Sequence, residues 1–91
     1  MHQRTVVLGS AQGLHARPAK LFVQAAAQQP VRVLVSIGDR TPVRADSMIA
    51  VLTLGAIKGA LLTLHADGGD DAEQALATLA ALLEKDLDAD G

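Results

Sequence analysis

The 91-residue chain contains no cysteine, tryptophan or tyrosine, and its one aromatic residue is Phe22. Without cysteine the chain can form no disulfide, thiolate metal site or thiol nucleophile, which agrees with a reducing, cytoplasmic location. Without an aromatic inventory, stacking on nucleic-acid bases is not available and a small-molecule pocket with aromatic walls is poorly supported. Any chemistry must therefore come from a few polar side chains.

A strong net charge and long apolar runs are also absent. The formal net charge is -2 at pH 7, so nucleic acid is not expected as a partner. The apolar run after Arg4 ends at Gly9, far below the length of a signal-peptide core or a membrane span, and no membrane insertion is expected. The length and the hydrophobic content of 49% predict one compact domain over residues 1–91.

Hydrophobic periodicity predicts seven elements in the order β-α-β-β-α-β-α. The predicted strands cover residues 4–8, 31–37, 41–45 and 61–66, and the predicted helices cover residues 16–27, 48–54 and a segment from about residue 70. Pro42 cannot donate a ladder hydrogen bond, so its strand should lie at a sheet edge. The pattern predicts an α+β fold, an open-faced two-layer β-sandwich with a four-stranded, mainly antiparallel sheet covered on one side by three helices.

The predicted helices have identifiable ends. Ser47 can cap the second helix, and Gly55 can end it. Asp70 with Glu73 resembles a capping box at the start of the last helix, and Lys85 falls in its last turn. The face that packs on the sheet should be its apolar stripe: Ala72, Ala75, Leu76, Leu79, Ala80, Leu82, Leu83 and Leu87.

A histidine at the start of the first predicted helix is the candidate for chemistry. Free backbone N–H groups and the positive end of the helix attract an anion such as a phosphoryl group, and Arg17 can pair with its oxygens. The same positive end disfavours an imidazolium, and a neutral His15 keeps the lone pair needed to attack phosphorus. From spacing alone, a His15 that only caps the helix beside a solvated Arg17 is the more common arrangement.

The second predicted helix has almost no polar face. Placing Val51 and Leu54 inward leaves Met48, Ile49 and Leu52 exposed, as an apolar patch of the kind that binds protein partners. The alternative is that these residues are core or tolerated surface.

The segment Gly13-Leu14-His15-Ala16-Arg17-Pro18-Ala19 resembles the active-site signature of the HPr family, the phosphocarriers of the bacterial sugar phosphotransferase system. The resemblance extends over essentially the whole chain, including residues 45–55 and Lys58-Gly59. It implies that Enzyme I, charged by phosphoenolpyruvate, phosphorylates His15, and that Enzyme IIA domains then receive the group. Such a carrier has no turnover reaction of its own and needs no metal or organic cofactor.

The resemblance also implies roles for single residues. His15 would carry the phosphoryl group on its Nδ1 atom, while Arg17 and the backbone at Ala16 would stabilise the phosphoryl oxygens. The role of Lys20 is predicted from its position instead: one turn after Arg17, it would lie near the rim of the apolar patch and steer an acidic partner by charge complementarity. Many members of the family have a small residue at this position. The expected partner-binding residues are Ala16, Arg17, Lys20, Met48, Ile49 and Leu52.

Ser47 matches a serine that a regulatory kinase phosphorylates in some members of the family. It is also an ordinary helix cap, and the adjacent Asp46 would repel an added phosphate. A kinase or a transcriptional regulator therefore stays an open expectation among the partners. His2 and His65 lack acidic or histidine partners at metal-ligand spacing, so no metal site is expected.

Three other interpretations stay open. The same fold with the same His15 can serve a nitrogen-related or dihydroxyacetone-kinase branch of phosphotransfer. The protein can instead be a non-catalytic regulator that binds a transcription factor through the apolar patch of Met48, Ile49 and Leu52. The presence of His15 and Arg17 counts against this. An unrelated small α+β module would lose nothing in a His15→Ala variant. A monomer is expected, because the patch must stay available to successive partners.

Overall fold

The computed structural model describes residues 2–11, 13–14 and 16–85, with the backbone alone at residue 16. It contains the seven elements in the predicted order. The strands are β1 (His2–Val7), β2 (Val33–Ile37), β3 (Val43–Arg44) and β4 (Leu61–Ala66), and the helices are α1 (Ala16–Ala27), α2 (Met48–Thr53) and α3 (Asp70–Glu84).

The four strands form one sheet in the order β1-β4-β2-β3, and all three pairs of neighbours are antiparallel. The predicted α+β fold is therefore confirmed. β3 lies at the edge, as Pro42 predicts, but it has two residues rather than the five predicted, because the ladder begins only after the proline. β1 begins at His2, earlier than predicted, because His2 pairs with Ala66 of β4.

Alternation along the strands gives the sheet one apolar face and one open face. On the first face α3 packs against β1, β4 and β2, and α1 packs against α2 and α3. On the open face the hydroxyls of Thr5 and Thr63 lie 3.5 Å apart, and Ser36 Oγ lies 3.0 Å from His65 Nε2. The core between sheet and helices includes Val6, Leu8, Phe22, Val35, Val51, Leu62, Leu64, Leu79 and Leu83.

The start of α3 differs from the prediction. The residue before the helix is Gly69, with φ 62°, and no side chain caps the helix there. The chain enters through the positive φ angles of Gly68 and Gly69, so Asp70 is already helical and cannot act as the cap. The capping box is therefore wrong, although the acidic residues of the first turn still face the positive end of the helix.

The C-terminal end of α3 also differs from the prediction. The helix ends at Glu84, so Lys85 follows it and its last turn contains no basic residue. The predicted apolar stripe is buried at six positions and half-buried at Leu82, whereas Leu87 lies outside the described residues. With 15 residues α3 is the longest helix, and no helix in the described ranges is long and apolar enough to span a membrane.

The loop after β1 is fixed against the end of α3. Leu8 exchanges hydrogen bonds with residues 59 and 60, and the N–H of Gly9 donates to the carbonyl oxygen of Leu83 at 2.9 Å. A Cβ added at Gly9 would overlap with the carbonyl oxygen of Glu84. Glycine is therefore required at this position by the close approach of two backbone segments.

Gly9→Ala should lower the free energy of unfolding by about 2–3 kcal/mol, because the new methyl group meets backbone that cannot rotate away. As a control, Gly38 has φ 56° and no neighbouring atom within 4 Å of an added Cβ. Since asparagine tolerates the left-handed region, Gly38→Asn should stay within about 0.5 kcal/mol of wild type. Urea unfolding followed by circular dichroism measures both. Equal changes in the free energy of unfolding for the two variants would show that the loop containing Gly9 can move away from α3.

Candidate functional site

The predicted phosphoryl carrier, His15, lies outside the described residues, and so does the side chain of Ala16. The structure does describe the chain on either side of residue 15. On one side lies Leu14, which is buried, and on the other side α1 begins at Ala16. These two flanks are the described parts of the candidate site.

The N-terminal flank is held by backbone contacts. The N–H of Leu14 donates to the carbonyl oxygen of Ala56 at 2.9 Å, and the N–H of Gly13 donates to that of Ser10 at 3.0 Å. Gly13 has φ 84°, and a Cβ there would lie 2.6 Å from the carbonyl oxygen of Ala56. Both the conformation and the close contact require glycine, so the position of residue 14 depends on the segment after α2.

The C-terminal flank is the start of a well-anchored helix. The side chains of Ala19 and Phe22 are fully buried and fix α1, which has 12 residues, on the core. Its first turn contains no acidic residue, while the exposed Arg17 and Lys20 add positive charge to that end. Residue 15 therefore directly precedes the positive end of a helix, where an anion is stabilised.

The second helix presents the expected apolar residues to solvent. Val51 and Leu54 are buried, whereas the side chains of Ile49 and Leu52 are 78% and 41% exposed. Val51 and Leu54 are thus buried and Ile49 and Leu52 exposed, as predicted. Met48, also predicted to be exposed, is instead half-buried because it packs against the core.

Both predicted ends of α2 are present. Ser47 Oγ accepts a hydrogen bond from the N–H of Ala50 at 3.3 Å, and Gly55 has φ 63° directly after the last turn. The carboxylate of Asp46 beside this cap pairs with Arg44 through two contacts of 3.0 and 2.9 Å. These hydrogen bonds hold the pKa of Asp46 below its ordinary value. The charge next to Ser47 therefore persists, partly neutralised by Arg44.

One exposed residue beside the site has no signal in the sequence pattern. The side chain of Ile57 is 71% exposed, and its Cα atom lies 3.2 Å from the position of a Cβ added at Gly13. It follows Ala56, the residue that binds Leu14. A single isoleucine in a loop belongs to no helical or strand periodicity, and only the fold brings it next to the chain before residue 15.

The other two histidines, His65 and His2, each lie next to a polar side chain of the fold. His65 is hydrogen-bonded to Ser36 on the open sheet face. His2 Nδ1 lies 3.6 Å from Glu73 Oε1, so it does have an acidic neighbour, which its position in the sequence could not reveal. No group of three or more metal-ligating side chains occurs among residues 2–11, 13–14 and 16–85.

Similarity to known proteins covers nearly the whole chain. The family model "PTS HPr component phosphorylation site" matches residues 2–85. The phosphocarrier protein HPr of Streptomyces coelicolor is 47% identical over 97% of this chain and 94% of that protein.

Solved structures give the same result. The phosphocarrier protein HPr from Bacillus anthracis has a TM-score of 0.83 at 35% identity, covering 90% of this chain and 95% of that one. HPr-C-His from Thermoanaerobacter tengcongensis also has a TM-score of 0.83, at 38% identity and with 92% of each chain covered. The chain therefore belongs to the HPr family, the phosphocarrier proteins of the phosphotransferase system.

Proposed function

We propose that His15 accepts a phosphoryl group from phospho-Enzyme I and passes it to Enzyme IIA domains for sugar uptake. The main support is the placement of residue 15 between Leu14, which is bound to Ala56, and the positive end of α1. A nucleophile at this position of the chain would react beside fixed backbone dipoles. The proposal places the protein in the cytoplasm as a monomer.

In the proposed step, the Nδ1 lone pair of a neutral His15 attacks the phosphorus atom. The bond from phosphorus to the donor breaks as the new N–P bond forms, and the same exchange in the other direction delivers the group to the acceptor. The N–H groups at the start of α1 and the Arg17 guanidinium balance the charge on the phosphoryl oxygens. The chain then acts as a carrier without turnover of its own and without a cofactor.

The proposed partner surface combines an apolar patch with positive charge. Ile49 and Leu52 are exposed on α2, and Arg17 and Lys20 are exposed on α1, which packs against α2. A partner with an apolar area and an acidic rim complements both features. We include Met48 and Ala16 in this surface, as the family resemblance implies.

One regulatory element of the proposal concerns Ser47, the candidate for phosphorylation by a kinase. Its hydroxyl already caps α2, so a kinase would have to break this bond to modify it. The neighbouring Asp46 is ionised and paired with Arg44. The proposal includes phosphorylation of Ser47 by a kinase, and it includes binding of a transcriptional regulator through the apolar patch on α2.

The first test is phosphorylation by Enzyme I and phosphoenolpyruvate, followed by intact-protein mass spectrometry. Wild type should gain one acid-labile, base-stable phosphoryl group, and His15→Ala should gain none, because the attacking nitrogen is removed. The control His2→Ala removes a histidine on β1 and should label like wild type. A label on His15→Ala, or no label on wild type with active partners, would contradict the proposal. Repeating the assay with Enzyme I from a nitrogen-related system distinguishes the sugar branch of phosphotransfer from the nitrogen-related branch.

Arg17→Ala should slow phosphoryl transfer from Enzyme I on the order of tenfold or more, because a donor to the phosphoryl oxygens is lost. Rapid-quench measurements of a single transfer give this rate. Arg4→Ala is the matched control, since Arg4 is an exposed arginine on β1 and its loss changes the net charge equally. The same rate for both variants would rule out a specific role for Arg17.

Ile49→Asp should raise the KM of Enzyme I for this protein about tenfold, with little change in kcat, because a charge enters an apolar contact area. The same substitution at Val7, which is 51% exposed on β1, serves as the control and should leave KM unchanged. Steady-state transfer assays with both variants compare the two surfaces. An unchanged KM for Ile49→Asp would exclude α2 from the interface.

A further inference from the structure

Helix α2 is too short to be stable by its own hydrogen bonds. It has six residues and no basic residue in its last turn, whereas isolated helices need about 12–15 residues even to be marginal in water. Its stability therefore depends on the burial of Val51 and Leu54 and on groups that satisfy its two ends.

Local groups satisfy most of the C-terminal end. Thr53 Oγ1 donates to the carbonyl oxygen of Ala50 at 2.6 Å. The backbone N–H groups of Leu54 and Gly55 donate to the carbonyl oxygens of Val51 and Leu52, respectively. All of these donors lie within the helix or directly after it.

The carbonyl oxygen of Leu54 is different, because its donor comes from another part of the fold. Arg40 NH1 donates to it at 3.3 Å. Arg40 lies in the turn between β2 and β3, where its own N–H donates to the carbonyl oxygen of Ile37 at 3.2 Å. The turn is thus fixed to β2. From it the side chain of Arg40 reaches the negative end of α2, where a cation is favoured.

We propose that Arg40 is a positioning residue for the partner surface on α2. It binds Leu54, the residue whose side chain fixes the end of α2 in the core, and so sets the angle at which Ile49 and Leu52 face a partner. A planar guanidinium can direct an N–H at this carbonyl, whereas an ammonium ion supplies mainly charge. The inference rests on the proposed binding of partners to this surface.

The test compares Arg40→Ala and Arg40→Lys with Arg4→Ala, which removes the same charge from β1. Hydrogen exchange reports on α2 without any partner. In Arg40→Ala the N–H groups of Leu54 and Gly55 should exchange about tenfold faster, and the KM of Enzyme I should rise about three- to tenfold with kcat unchanged. Arg40→Lys should recover only part of both effects, and Arg4→Ala should behave like wild type.

Three results would overturn the inference. Unchanged exchange in Arg40→Ala would show that α2 does not depend on this contact. Full recovery of KM by Arg40→Lys would assign the effect to charge steering instead. Faster hydrogen exchange in Arg40→Ala with an unchanged KM would show that the contact from Arg40 to Leu54 stabilises α2 but does not affect partner binding. In that case Ile49→Asp shows which statement fails: if it raises KM, the α2 surface stands without Arg40, and if it does not, the proposed surface fails as well.

Discussion

The hydrogen bond from the N–H of Leu14 to the carbonyl oxygen of Ala56 is the contact on which the candidate site depends. It joins the chain directly before residue 15 to the segment directly after α2, so the proposed carrier and the proposed partner surface share one backbone frame. Gly13 permits the close approach. In the same loop the side-chain oxygen of Ser10 is buried and has no hydrogen-bond partner in the described part of the chain.

The residues that stabilise the fold differ from the residues that are available to protein partners. The sheet and the buried faces of α1 and α3 supply the core, while the exposed residues of α1 and α2 lie at the ends and outer faces of their helices. A carrier must bind several partners in turn, which favours a small exposed surface over a deep pocket. Backbone hydrogen bonds such as that from Leu14 to Ala56 can hold such a surface in place without enclosing it.

Local signals were sufficient for the elements whose limits are set by nearby residues. α1 has the predicted bounds because its apolar period continues from Ala19 to Ala26, and β4 because its strand pattern ends at a glycine-containing turn. Non-local effects explain the differences. Pairing with Ala66 lengthens β1, and the positive φ angles of Gly68 and Gly69 replace the expected cap. The placement of Ile57, the contact from Arg40 to Leu54 and the approach of His2 to Glu73 join distant positions, which periodicity cannot reveal.

The hydrogen bond between Gly9 and Leu83 has a consequence for biosynthesis. The loop before residue 15 is synthesised before α3, but one of its supports comes from Leu83 of α3, far along the sequence. A nascent chain on the ribosome can therefore contain the histidine long before the loop has its final anchor, and contacts of such large sequence separation form slowly. Competence to react with a partner should thus arise only after α3 has been synthesised and has packed against this loop.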